Sequence, residues 1–311
     1  MPVDKVDNLA RKWDFYMKKY RNLLIGVILS IVFSGFSIYY LNINELNFKI
    51  TQYDFLSNAL DDKLLANKLN FNETDDFNYE VSSKIKHSID SIPILAYFSV
   101  SLQPVSYTDW IDIKNFEAQM DFLYKNGYNT LNSDELYSYI DTGVCDVVNP
   151  VVLTFDNGYK DFYDNAFPIL KKYKFKAILF QITANVDELS NSLTSREIKE
   201  ISDYGIDIGI RGNTNREMSE LTPSLKDSTI KSGVDDLNKI INKNPVGFSF
   251  PYGIFDDGSI GLFNAYDIKG AFTLKNETVK KGQNLYSIPR KLINNNTDMN
   301  SFREFLKGII E

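Results

Sequence analysis

The chain has 311 residues, 43% of them hydrophobic and 14% aromatic, enough for one large buried core and an attached segment. Its formal charge of −7 argues against a nucleic-acid binder, which normally shows a basic face or stripe, so no nucleic-acid partner is expected. One cysteine, Cys145, excludes an intrachain disulfide, and one histidine, His87, excludes any mechanism that needs two histidines from a single chain.

The first element in chain order is Asn22 to Leu41, NLLIGVILSIVFSGFSIYYL, an uncharged run of the length a helix needs to cross a hydrocarbon core. It predicts a single transmembrane helix after a basic tail at 1–21. Lys5, Arg11, Lys12, Lys18, Lys19 and Arg21 lie in that tail, whereas the residues just after the run are nearly uncharged. The N-terminus is therefore expected in the cytoplasm, with the rest of the chain outside the cell membrane. A cleaved signal peptide would have a shorter apolar region ending in a small-x-small site, of which this run offers no convincing example, so the helix reads as an uncleaved anchor. Residues 42–91 are rich in Asn, Asp, Lys and Ser and contain neither Gly nor Pro, the composition of an extracytoplasmic stalk. His87 falls in that stalk.

From Ile92 the pattern changes. The apolar runs PILAYFSVS, NPVVLTF, FKAILFQI, IDIGI, PVGFSFPY and KGAFTL alternate with helical periodicity near 112–126, 160–174, 195–204, 224–243 and 299–310. Pro168 is expected to kink the second of these helices. Repeated strand and helix over 92–311 predicts an α/β domain with a parallel sheet, a complete or incomplete (β/α) barrel, with an open doubly wound sheet as the alternative. In such folds the loops after the strand C-termini carry chemistry, which singles out TFDNG, GIRGNTN and FPYG. Asn294, Asn295 and Asn296 read as a loop.

Those three loops, in that order, resemble the polysaccharide deacetylase family, the NodB-homology or carbohydrate esterase family 4 enzymes. The resemblance rests on Thr154-Phe155-Asp156-Asn157-Gly158, on Tyr159, Asp161 and Tyr163, on PILKKY from Pro168, on Lys176-Ala177 and on Pro251-Tyr252-Gly253. It extends over about 93–309, with PILAYFSVS as the opening strand, NFEAQMDFLYKNGYNTLNSDELYSYI as the following helices and SIPRKLINNNTDMNSFREFL as the closing segment. It implies a distorted (β/α) barrel, here behind a membrane helix and stalk, that removes acetyl groups from N-acetylglucosamine units. The implied metal is divalent and held by Asp-His-His. The first Asp of TFDDG serves as base, the second as metal ligand, and two histidines come from a His-(Ser/Thr)-x-x-His segment after a later strand.

Carried over position by position, the base is Asp156, and the three ligand positions hold Asn157, Arg211 and Asn215. A neutral amide is a poorer ligand than a carboxylate, and a guanidinium neither coordinates a metal nor deprotonates. Arg211 is expected to pair with Asp156 in place of the metal charge. Phe98 and Ser249 stand where many relatives carry His and Arg. Tyr159, Pro251, Tyr252 and Gly253 are implied to line the glycan cleft, the backbone N–H of Tyr252 binding the acetyl oxygen; Trp110, in an expected loop, is a weaker aromatic candidate. On turn chemistry alone, Asp156 caps the following helix and Arg290, in SIPRK, is an exposed arginine near a strand end.

The reading is a membrane-anchored, catalytically degenerate deacetylase-like protein that binds a cell-envelope glycan containing N-acetylhexosamine, or an envelope protein, and takes no cofactor. One alternative is an active carbohydrate N-deacetylase, a hydrolase of non-peptide carbon–nitrogen bonds, with a divalent metal on Asp156, Asn157, Asn215 and Asp207. The other is a structural scaffold of an envelope or spore assembly.

Overall fold

The computed structural model describes residues 87–103 and 109–308, which lie in one compact unit, Ser82–Glu311. The segment expected to cross the membrane, 22–41, and the tail before it lie outside the described residues, as does most of the expected stalk. Among the described residues no helix is long and apolar enough to cross a membrane.

The domain is built on a parallel sheet. β1 (His87–Ser88) is followed by β2 (Ile94–Tyr97), β3 (Ser99–Val100), β4 (Trp110–Ile111), α1 (Ile113–Lys125), β5 (Asn129–Thr130), α2 (Ser133–Thr142) and β6 (Val144–Cys145). Then come β7 (Pro150–Asn157), α3 (Phe167–Tyr173), β8 (Ile178–Gln181), α4 (Ser195–Tyr204), β9 (Asp207–Ile210), α5 (Pro223–Ile241) and β10 (Phe248–Ser249). The chain closes with α6 (Ile260–Ala265), β11 (Ala271–Phe272), β12 (Lys291–Leu292) and α7 (Met299–Leu306). The main sheet runs β11-β10-β9-β8-β7-β2-β12, with β5 pairing the start of β7, and every pairing in it is parallel.

This is a half-barrel and not a closed one: β11 and β12 form the two ends. The β11 edge is met by irregular chain, with Ala271 N donating to Leu285 O and Thr273 N to Ile288 O, so its backbone groups find partners without ring closure. The strands read as continuous apolar runs because both faces are covered. Along β7, Val151, Leu153 and Phe155 join the core shared with the outer helices, while Val152 belongs to the inner cluster with Ile94, Ile178, Phe180 and Phe272. The same period of two puts Thr154 and Asp156 on the inner side.

Local chemistry fixes the helices. Asn132 with Glu135 and Thr194 with Glu197 form capping boxes at the starts of α2 and α4. The helix expected over 160–174 is split: a π turn occupies Phe162–Ala166 and α3 follows with Pro168 in its first turn, where a missing N–H is harmless. Helix α6 is only six residues long, too short for periodicity to reveal. Two placements differ from the sequence reading. His87 is not in free stalk, since it pairs with Cys145 across β1 and β6, and Trp110 lies in β4 beside Ser99.

Candidate active site

The C-terminal ends of β7, β9 and β10 converge on one buried cluster. Asp156 is the penultimate residue of β7, Arg211 follows β9, Ser249 ends β10, and Arg290 reaches in from just before β12. Asp156 and Arg211 are each 1% exposed, and Ser249 and Arg290 are fully buried. Arg290 grips the carboxylate with both arms, Nη1 to Oδ1 at 2.8 Å and Nη2 to Oδ2 at 2.9 Å. Arg211 Nη1 donates to Asp156 Oδ2 from the other side. Ser249 Oγ donates to Oδ2 at 2.9 Å and accepts from both guanidiniums at 2.8 Å.

The rest of each arginine is also occupied. Arg290 donates from Nε to Thr273 O at 3.0 Å and from Nη1 to Thr154 Oγ1 at 3.1 Å, and it lies against the rings of Phe180 and Phe272. Arg211 donates from Nε to Asn215 Oδ1 at 3.1 Å and lies against the ring of Phe98. Thus Arg211 does pair with Asp156, and three of the singled-out positions, Asp156, Arg211 and Asn215, form one connected network. Arg290 is a correction: it is a fully buried partner of the acid, not an exposed strand-end residue. The signal was present, because a charge between Ile288 and Ile293 in an apolar strand region needs a counter-ion once buried.

Electrostatics set the state of the acid. Burial pushes the Asp156 carboxyl up, but the Arg290 and Arg211 guanidiniums outweigh it and hold it below its ordinary value. Burial pushes Arg211 down while Asp156 opposes the shift. A carboxylate so held is a weak proton acceptor, and both its oxygens already accept hydrogen bonds.

Around the cluster, Asn157 takes φ 74° and Gly158 φ 68°. Asn tolerates the left-handed region, and Gly158 is required because a Cβ there would sit 1.7 Å from Gln181 Oε1. Asn157 Oδ1 and Gln181 Oε1, on paired positions of β7 and β8, are buried without a donor. Tyr252, 61% exposed with φ 58°, stands beyond buried Pro251, and Gly253 packs so closely on Leu274 that a Cβ would meet its backbone N at 2.6 Å. Tyr252 and half-buried Tyr159 both act electrostatically on Arg211, so both flank the cluster. Asp161 faces elsewhere: its Oδ2 accepts from Ser99 Oγ at 2.5 Å, and burial pushes its carboxyl up. Asp207 is not at the site. It begins β9, at the opposite end of the sheet, and accepts from Ser133 N at 2.8 Å and Ser133 Oγ at 2.6 Å.

The sequence pattern of the family described as polysaccharide deacetylase matches residues 144–271. The chain is similar to the poly-beta-1,6-N-acetyl-D-glucosamine N-deacetylase of Staphylococcus epidermidis, 27% identical over 210 residues that cover 63% of this chain and 71% of that one. Its fold is similar to that of the Streptococcus pyogenes deacetylase PplD in complex with acetate, with a TM-score of 0.65 at 24% identity over 71% of this chain and 99% of that one. It is also similar to BC0361, a polysaccharide deacetylase from Bacillus cereus, with a TM-score of 0.62 at 28% identity over 70% and 69% of the two chains.

These relatives overturn the expectation that no cofactor is taken, because deacetylases of this kind are typically metal-dependent. A divalent cation is therefore the group against which the residues present must be tested. They do not fit one. Both oxygens of Asp156 are claimed by guanidiniums, the unclaimed oxygens of Asn157 and Gln181 are neutral amides, and two fixed positive charges adjoin the place a dication would occupy. Among the described residues no three His, Cys, Asp or Glu side chains converge.

Proposed function

Because this chain belongs to the polysaccharide deacetylase family while its central carboxylate is held by two buried guanidiniums, we propose that it is a deacetylase-like protein that binds a glycan containing N-acetylhexosamine without hydrolysing it. The engagement of both Asp156 carboxylate oxygens by buried guanidiniums is the observation that carries this reading. A general base must accept a proton from water near neutral pH, and a carboxyl held below its ordinary value by two cations does so poorly. Tyr159, Pro251, Tyr252 and Gly253 supply the glycan-facing rim in this proposal. The relevant assay mixes the full-length chain with N-acetylated β-1,6-linked glucosamine oligosaccharide, with and without added zinc, cobalt, nickel or manganese, and measures free acetate. The expected result is no acetate above the protein-free control. Acetate release that scales with protein and disappears in Asp156→Ala would return the chain to the N-deacetylases.

The proposal includes the membrane. The uncharged run 22–41 and the basic tail before it support a single anchor with the domain outside the cell, where an envelope glycan is found. Protease added to intact cells should then remove the domain and spare residues 1–21; protection of the domain until lysis would reverse the orientation.

A further inference from the structure

At the end of the sheet opposite Asp156, helices α1 and α3 pack against each other and stop beside the starts of β5, β7 and β8. Their ends are turned by Gly127 at φ 69° and Lys174 at φ 56°. Between them lies a cleft of about 390 Å³, within the range of small-ligand sites. Tyr124, Tyr128 and Tyr173 line it, and Val147 contributes a further apolar side. Tyr124 is 61% exposed, and its ring centroid lies 5.5 Å from that of Tyr173 at an interplanar angle of 49°, so two aromatic walls meet as an open shelf.

The polar groups of the cleft are as specific as the rings. Asn129 commits its Nδ2 to Gly127 O at 3.1 Å and Val148 O at 2.8 Å, which fixes the amide and leaves Oδ1 as an acceptor. Nearby Lys125, Lys172 and Lys176 pair with Asp121, Glu117 and Glu135. Lys174, which lines the cleft, has no acidic partner among the described residues and remains a free donor. Ring faces attract the polarised C–H groups of a pyranose, while its hydroxyl or acetamido groups need a donor and an acceptor close by.

We infer that this cleft is a second saccharide-binding site, holding a hexosamine unit of a polysaccharide at a distance from the Asp156 cluster. The choice of saccharide rests on the proposed function; the existence of the site rests on the cleft.

The test is hydrogen exchange of the full-length chain with and without a β-1,6-linked N-acetylglucosamine hexasaccharide. The saccharide should slow exchange in 124–130 and 173–176. In Tyr124→Ala that protection should weaken on the order of tenfold in saccharide concentration, Tyr124→Phe should retain it, and Tyr252→Ala should leave it unchanged. Tyr124 is exposed enough that its truncation should not unfold the domain. No protection in these segments up to the solubility limit of the sugar, or protection indifferent to Tyr124→Ala, overturns the inference. Protection confined to 249–254 would do the same while supporting the glycan-binding reading, and protection confined to 124–130 and 173–176 would support the second site while removing Tyr252 from the first.

Discussion

Asp156→Asn is expected to destabilise the domain by roughly 3–5 kcal/mol at neutral pH, because it removes the only anion between two buried guanidiniums. The carboxylate and two arginines carry a net single positive charge in a volume closed to water; the amide variant doubles it. Denaturant titration of both proteins should show the midpoint fall with little change in slope. The origin of the loss is checked by acid. The folded-state pKa of Asp156 lies below its ordinary 3.8, so its contribution is fully present above the unfolded value and is lost as pH falls through the folded one. The gap between wild type and Asp156→Asn should therefore close on acidification below about pH 4. A gap that stays constant down to unfolding would mean that shape, not charge, is what the substitution disturbs. Asp161 works with the opposite sign. Burial raises its carboxyl, so its contribution to stability is present below the unfolded value and is lost as pH rises toward the folded one.

The residues legible from sequence were those whose backbone setting follows from local pattern. The strand-turn-helix around Asp156, the strand before Arg211 and the Pro-Tyr-Gly turn could be placed because apolar runs and turn residues mark strand ends. From there the parallel topology brings the ends of β7, β9 and β10 together. What sequence could not supply was the side-chain economy at the centre. Arg290 sits 134 positions from Asp156 and enters from a different strand, so no local pattern joins them. Ser249, read only as a position where many relatives carry Arg, proves to be the hydroxyl that bridges all three charges. Whether the barrel is complete or incomplete was not legible for a related reason: counting strand-helix units gives the number of strands, but whether the first and last pair depends on the segment after β11, whose bridges at Val279 and Ile288 show no strand periodicity. Asp207 illustrates the converse error. Its proximity to Arg211 in sequence spans a whole strand, which carries its carboxylate to the far end of the sheet.

The two arginines should not be equivalent, and their difference separates inherited support from the new charge. Arg211→Met removes one hydrogen bond to Asp156, one to Ser249 and one to Asn215, and leaves the two-armed Arg290–Asp156 pair intact and electrically neutral. The apolar chain also fits beside Phe98. Its cost should be about 1 kcal/mol or less, since relieving the excess positive charge offsets the lost bonds. Arg290→Met also leaves a neutral cluster, but the remaining pair is one-armed, and Thr273 O loses its buried donor, Arg290 Nε. That variant should lose about 3 kcal/mol or more. Equilibrium unfolding of the two variants decides the matter. A larger loss in Arg290→Met assigns to Arg290 the task of holding Asp156 and to Arg211 the occupation of the space beside it. The reverse order, with both variants equally neutral, would make Arg211 the structural partner of the acid.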